Sequence, residues 1–396
     1  MECLRCGNKD PYYFYKGHKG YYCRKCIKFS RVLLEEEPES FEYDVSDKAD
    51  EYHFDYSLSN EQLEASRKCK ELIKEKDVLL HCVCGAGKTE MVVESISYYL
   101  HKGLKVAYAI PRKEVVIELQ KRFAHIFSNA KVIGVYGGHH EELSGDLIVC
   151  TVHQLYRYYK TFDLLVLDEV DAFPLKGNKT LLNISLNSCK NRIIFSTATL
   201  DDCLKEILKS RDYETVRVYI RPSRNPLSIP SIYYLNRYLG FILLYRLMKK
   251  MNNQCLIFVA NKTLCTNMYR IFSHFFSCTY VYSDLDKRKE NIQMFRDGKK
   301  KYCFSTTVME RGVTIQGISV IIYDYDNIFD QSNLIQMLGR VNRGIGDNSG
   351  KTYIFSDKYS THIKQTISYL KEANSYLWDV YSVMKLTKRL ALRLCF

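Results

Sequence analysis

Several features are scarce or missing in this chain of 396 residues. Its first residues lack the charged-then-apolar pattern of a secretory leader, which argues against export. No apolar run approaches the roughly 18 residues needed to span a bilayer. The longest candidate, "YLGFILLYRLMKKM", is broken by charge within one or two turns. The fifteen cysteines are odd in number, and most lie in apolar runs rather than at framework spacings. That argues against a disulfide scaffold and for free thiols in a reducing cytoplasm. Repeats of short period are absent. Acidic residues are in deficit, 45 against 58 basic, leaving a net charge of +13. Such an excess is compatible with nucleic acid or an anionic membrane face. The 32 tyrosines, with plentiful lysine, isoleucine and asparagine, are open to two explanations: base-stacking surface, or a genome poor in G and C, which is the simpler one.

What is present is enough apolar sequence, 46%, for two ordinary domains and an appendage. Residues 1–30 form a cysteine-bearing unit, and 31–56 are acidic, without helical or strand period, and read as a linker. Strand-like runs follow at "DVLLHCV", "KVAYAIP", "KVIGVYG", "DLIVCTV", "FDLLVLDE" and "NRIIFSTAT", with helical patterns between several of them, including 89–101 and 113–127. Buried strands alternating with helices predict a parallel α/β sheet covered on both faces. The stretch "IRPSRNPLSIP" holds three prolines and marks a hinge over 222–231, closing a first domain of 57–221. A second series, "QCLIFVA", "CTYVYS", "KKYCFSTTV", "ISVIIYDY" and "KTYIFS", gives a second α/β domain over 232–358. Residues 359–396 read as helical and end in the basic "KLTKRLALRLCF", a solvated helix face or a contact for membrane or DNA.

"HCVCGAGKTEM" is the most informative stretch. A strand enters a turn with Gly85 and Gly87, and Lys88-Thr89 open a helix. The backbone N–H groups of Cys84, Gly85, Ala86 and Gly87 can cradle phosphate oxygens, Lys88 reaches the β- and γ-phosphates, and the Thr89 hydroxyl ligates Mg2+. The first glycine of the usual string is replaced by Cys82. A metal site at Cys82 and Cys84 would need two more ligands, with only His81 nearby, and alternate strand positions pointing to one face suit packing. "FDLLVLDEVD" supplies the carboxylates that a phosphate loop requires: Asp168 for Mg2+ and Glu169 to orient the attacking water. ATP is the expected nucleotide. "GGHHEE", 137–142, reads as a tight turn, and its adjacent histidines are poorly placed to converge on a metal.

At the amino terminus, "CLRCGNKDPYYFYKGHKGYYCRKC" places two C-x-x-C pairs sixteen residues apart. Cys3, Cys6, Cys23 and Cys26 can close a tetrahedral Zn2+ shell around a segment too short for a core of its own. His18 reads as a loop residue, since four thiolates fill the shell. Tyr12, Tyr13, Phe14, Lys16, Lys19, Tyr21, Tyr22 and Arg24 interleave aromatic and basic character. They could stack a single strand or simply pack around the metal.

In order along 58–357, further strings resemble the superfamily-two helicases. They are "LSNEQ" with Gln62, "IPRKEVV", "CTVHQL", "STAT" (Ser196–Thr199), "FSTTVMERGVTI" and "QMLGRVNRG". The resemblance implies two tandem RecA-like domains, with adenine read by Gln62 and Gly312 among the nucleotide-binding positions. Arg340 and Arg343, three apart on an expected helix, would lie on the developing γ-phosphate charge. Asn342 stands where the usual pattern has a glycine. With the four-cysteine unit in front, "VCGAGKTEM", "DEVDAFP" and "ERGVTI" resemble the ComFA family of late-competence ATPases almost end to end. Restart helicases of the PriA type share the motor and zinc but carry their cysteines in the second half. The ComFA resemblance implies a single-stranded-DNA-stimulated ATPase at the cytoplasmic face of the membrane, beside a ComEC-type channel and a ComFC-like partner. The alternatives that remain open are an RNA helicase or a PriA-like replication-restart DNA helicase on the same core, and a zinc-dependent nucleic-acid or protein interaction module on a silenced motor.

Overall fold

The computed structural model describes residues 1–34, 36–38, 40–45, 51–310, 315–344 and 349–394, with residue 310 and residues from 378 onward described by backbone alone. The chain divides into two compact units, one of Met1–Cys82 with Gly87–Val218 and the other of Val83–Ala86 with Tyr219–Phe396.

In the first unit, β1 (Phe14–Gly17) and β2 (Gly20–Cys23) form an antiparallel hairpin. A seven-stranded sheet follows, built from β3 (Asp77–Cys82), β4 (Val106–Ile110), β5 (Val132–Val135), β6 (Leu147–Thr151), β7 (Phe162–Asp168), β8 (Cys189–Thr197) and β9 (Tyr213–Val218). The order is β5-β6-β4-β7-β8-β3-β9, with every pair parallel. β4, β6 and β7 are buried at every position, as expected of central strands covered on both faces. The helices are α1 (Asn60–Leu72), α2 (Lys88–Met91), α3 (Val93–Leu100), α4 (Lys113–Ile126), α5 (Lys179–Leu186) and α6 (Asp202–Leu208). The single helix expected over 89–101 is in fact two, because Val92 departs from helical geometry at φ −100° and ψ −7°. Residues 136–139 form the expected tight turn, with Tyr136 and His139 exchanging backbone hydrogen bonds of 3.0 and 2.9 Å.

One apolar core runs from Cys3, Cys6, Cys23, Cys26 and Phe29 through the strands to Leu204 and Leu208. The cysteine unit therefore rests on the sheet domain. Asn183 on α5 donates to the Cys6 carbonyl at 3.0 Å, and Asn187 donates to the Leu4 and Arg5 carbonyls at 2.8 and 3.1 Å. Within the stretch read as a linker, Leu34 is buried and Phe41 and Tyr43 pack on the same core. Two aromatic anchors in an acidic run make it a strap laid over the domain.

The second unit carries β10 (Ser231–Tyr234), β11 (Cys255–Val259), β12 (Cys278–Val281), β13 (Tyr302–Ser305), β14 (Ser319–Tyr323) and β15 (Thr352–Ser356). These form a parallel sheet in the order β10-β15-β14-β11-β13-β12. Its helices are α7 (Arg237–Lys250), α8 (Lys262–Phe272), α9 (Arg288–Arg296), α10 (Gln331–Leu338) and the 34-residue α11 (Thr361–Leu394). Side-chain N-caps from Asn236, Asn261 and Asp330 start three of them. Among the described residues no helix is long and apolar enough to cross a membrane.

Candidate active site and metal centre

The phosphate loop begins where β3 ends. The turn of Cys84, Gly85 and Ala86 is closed by a 3.2 Å bond from the Ala86 N–H to the Val83 carbonyl. Gly85 and Gly87 have φ of 83° and 82°, the left-handed region that favours glycine. At Gly87 space matters as well: an added Cβ would fall 2.2 Å from the Gln62 side-chain nitrogen. Gln62 is held in that position by a capping box. Its Oε1 accepts from the Ser59 N–H at 3.0 Å while the Ser59 hydroxyl accepts from the Gln62 N–H at 3.3 Å. The amide's nitrogen is thereby turned toward the loop. Cys82, in the first glycine position, is a buried strand residue whose sulfur lies 3.9 Å from that of Met91.

Asp168 is the hub. It terminates β7, is 5% exposed, and lies 3.5 Å from the Lys88 ammonium. The Ser196 hydroxyl donates to its Oδ1 at 2.7 Å, as the β7–β8 register places the two residues opposite one another. The Glu169 N–H also donates to Oδ1, at 2.8 Å. Oδ2 accepts from the Tyr108 hydroxyl at 2.7 Å. Burial pushes the Tyr108 phenol far above its ordinary range, so it stays a neutral donor. Tyr108 thus stands directly behind the carboxylate expected to ligate Mg2+. Sequence reading missed it; the signal was a lone phenol in the otherwise apolar "VAYAI". Glu169 follows at φ 54°, a strained backbone for a non-glycine residue and of the kind concentrated at functional sites. Thr199 donates to Asp171 at 2.8 Å, so "STAT" and "DEVD" are bonded at both ends, by Ser196–Asp168 and Thr199–Asp171. His81, on β3, contacts the Ala198 carbonyl at 3.0 Å, and burial lowers its pKa.

In the second unit, α10 ends at Leu338 with Gly339 as its C-cap. Arg340 and Arg343 therefore occupy the turn after the helix, not the helix expected from their spacing. Arg340 is buried, and the half-buried Arg343 donates through Nε to the Gly339 carbonyl at 2.7 Å. Asn342 has φ 58°, which explains the residue: where the usual pattern has glycine, asparagine is the side chain that best tolerates the left-handed region. Gly312 lies outside the described residues.

Cys3, Cys6, Cys23 and Cys26 converge, all buried, with their sulfurs within 4.8 Å of one another. The Cys3–Cys26 and Cys6–Cys23 sulfurs are 3.8 Å apart. A tetrahedral thiolate shell with metal–sulfur bonds of about 2.3 Å has sulfurs about 3.8 Å apart, so the cluster fits Zn2+. The Arg5 guanidinium donates to the Cys26 sulfur at 3.2 Å and to the carbonyls of Cys26, Phe29 and Ser30. A hydrogen bond with Cys26 pushes the Cys6 thiol far up, as crowded sulfurs must share protons unless a cation takes all four as thiolates. His18 is exposed in the β1–β2 turn. The module's cations lie over its own rings, Lys25 at 5.2 Å from Tyr13 and Arg31 at 4.6 Å from Tyr22.

Comparison with known proteins completes the assignment. The competence protein ComFA of Streptococcus pneumoniae is 31% identical, over 94% of this chain and 90% of its own length. That of Bacillus subtilis is 32% identical, over 93% of this chain and 83% of its own length. This chain belongs to the ComFA family. Within this ComFA-family chain, residues 55–202 match the model for the res subunit of type III restriction enzymes, and 239–344 match the helicase conserved C-terminal domain. These matches make it an ATP-hydrolysing enzyme of the superfamily-two helicase type. Among solved structures, Saccharomyces cerevisiae Dbp5 bound to RNA and ADP BeF3 is similar at a TM-score of 0.57 and 17% identity, covering 84% of this chain and 97% of that one. At that identity the likeness speaks for the two RecA-like domains alone.

Proposed function

We propose that this ComFA-family enzyme is an ATP-driven translocase on single-stranded DNA that powers DNA uptake into the cytoplasm during natural transformation. The observation that carries the enzymatic part is the buried Asp168 hub, which gathers Lys88, Ser196, the Glu169 backbone and Tyr108. In this reading Gln62 selects adenine, residues 84–87 and Lys88 cradle the phosphates, and Thr89 and Asp168 hold Mg2+. When bound, the ion neutralises charge developing on the transferred phosphoryl group. Glu169 orients the attacking water, while Arg340, Arg343 and Gly312 serve the γ-phosphate side. The Ser196–Asp168 and Thr199–Asp171 bonds pass the change at the nucleotide to "STAT" and so to movement on the strand. Zn2+ on Cys3, Cys6, Cys23 and Cys26 holds the amino-terminal module together. The ComFA relatives support a place in competence; in this reading the enzyme works beside a ComEC-type channel and a ComFC-like partner, at the inner face of the cell membrane.

An RNA substrate is the second reading, favoured by 24% identity over 73% of this chain to the ATP-dependent RNA helicase eIF4A of Kluyveromyces lactis. ATPase activity titrated with single-stranded DNA, duplex DNA and RNA of equal length at several salt concentrations separates the two. Single-stranded DNA should stimulate most, with an affinity that falls steeply as salt rises. Equal or greater stimulation by RNA would transfer the assignment, and no ATPase activity under any condition would end it.

A further inference from the structure

The connecting segment that opens the second unit carries a buried cation that the sequence pattern did not flag. Arg221 is 2% exposed. Its Nη1 donates to the Val341 carbonyl at 2.9 Å and the Asn342 carbonyl at 3.3 Å, and its Nη2 donates to the Gly339 carbonyl at 3.1 Å. Four residues on, Asn225 donates through Nδ2 to the Asn342 carbonyl at 3.2 Å and the Gly344 carbonyl at 2.8 Å. Together they grip the turn that presents Arg340 and Arg343. The other side of the same segment is held by α11. Leu227 and Asn374 exchange hydrogen bonds of 2.8 and 2.9 Å, and the rings of Tyr219 and Tyr376 stack at 4.3 Å with planes 8° apart. The segment is thus a strut fixed at both faces.

We infer that Arg221 is a positioning residue for Arg343: it fixes the backbone of the turn that presents Arg343. Gly339's carbonyl is shared by the two guanidiniums, accepting from Arg343 at 2.7 Å and Arg221 at 3.1 Å. Among the described residues the partners that bond Arg221 are carbonyls, and its Nε donates to a fourth, that of Cys84 in the phosphate loop, at 2.9 Å. Burial first, and Arg343 second, bring the Arg221 pKa down to about 10, so it still carries its proton at neutral pH. The turn also contains Asn342 at φ 58°, a conformation that persists where surroundings over-determine it. Arg221 and Asn225 both bond the carbonyl of that residue. This inference rests on the role proposed above for Arg343.

The test is a double-mutant cycle on ATP hydrolysis by the full chain, with thermal unfolding of each variant measured alongside. Arg221→Gln is expected to lower kcat on the order of tenfold to a hundredfold, the scale of a displaced catalytic group, with KM for ATP within a few-fold. In an Arg343→Ala background the same change should cost almost nothing further. Asn225→Asp, which turns a donor toward two carbonyls into an acceptor, should behave likewise and covers the case in which Arg221→Gln does not fold. Losses that multiply in the double variant, or that track the unfolded fraction, would overturn the inference. Arg343→Ala without effect on kcat would instead remove the underlying role of Arg343, a distinguishable failure.

Discussion

Replacing Tyr108 with Phe removes one oxygen and leaves the ring that packs 5.2 Å from that of Phe123, so the core keeps its volume. The loss is the 2.7 Å hydrogen bond to Asp168 Oδ2. Ser196 and the Glu169 N–H still hold Oδ1, so the carboxylate stays in place but Oδ2 loses this donor. A hydrogen bond to a charged acceptor contributes about 1.5–3 kcal/mol. Outer partners of metal ligands typically govern affinity by about tenfold to a hundredfold, and at about 1.4 kcal/mol per factor of ten the two ranges agree. The assay is steady-state hydrolysis at saturating ATP across a titration of free Mg2+. Tyr108→Phe should shift the Mg2+ midpoint upward by at least about tenfold, with most of kcat recovered when Mg2+ is in excess. An unchanged midpoint in a folded variant would refute the support that Tyr108 gives Asp168. A loss equal at all Mg2+ concentrations would do so too.

Other outcomes are equally specific. Lys88→Ala should abolish productive ATP binding, measured by equilibrium titration with a fluorescent ATP analogue; ordinary affinity would remove the phosphate loop from the account. Glu169→Gln should still bind ATP yet hydrolyse it about 10²- to 10⁴-fold more slowly, as for loss of a general base, and an unchanged single-turnover rate would strip Glu169 of its role. Wild-type protein should contain one Zn2+ per chain and Cys23→Ser none, with basal ATPase retained; metal content that stays at one means the ligand set is wrong. Because burial holds the His81 pKa below its unfolded value, the unfolded chain binds more protons as pH falls through that window. Stability is therefore full above the unfolded histidine pKa of about 6.5 and declines below it. A melting temperature in His81→Gln that falls as steeply as the wild type between about pH 7 and 5 would contradict this.

Much of this was legible because it is local. The phosphate loop, "DEVD" and the two C-x-x-C pairs each place their chemistry within a few residues, and eleven apolar runs mark eleven strands of the two sheets. In those two sheets the strands that went unread, β9 and β10, are edge strands with alternating or sparse burial, and "SIYY" has only four residues. Tyr108, Arg221 and Asn225 were missed for a different reason. Their partners lie 60, 118 and 117 residues away, so nothing in their neighbourhood distinguishes them from core or surface. Helical periodicity misplaced Arg340 and Arg343 because it has no term for the Gly339 cap that ends α10. Phe41 and Tyr43 were too few to give a period, yet two rings are enough to seat a strap.

The most direct measurement is movement itself: dissociation of the protein from end-labelled single-stranded DNA of increasing length after rapid addition of ATP. A lag that lengthens in proportion to strand length, and disappears in Glu169→Gln, is the expected result. Dissociation times independent of length, with ATP hydrolysis proceeding normally, would contradict translocation.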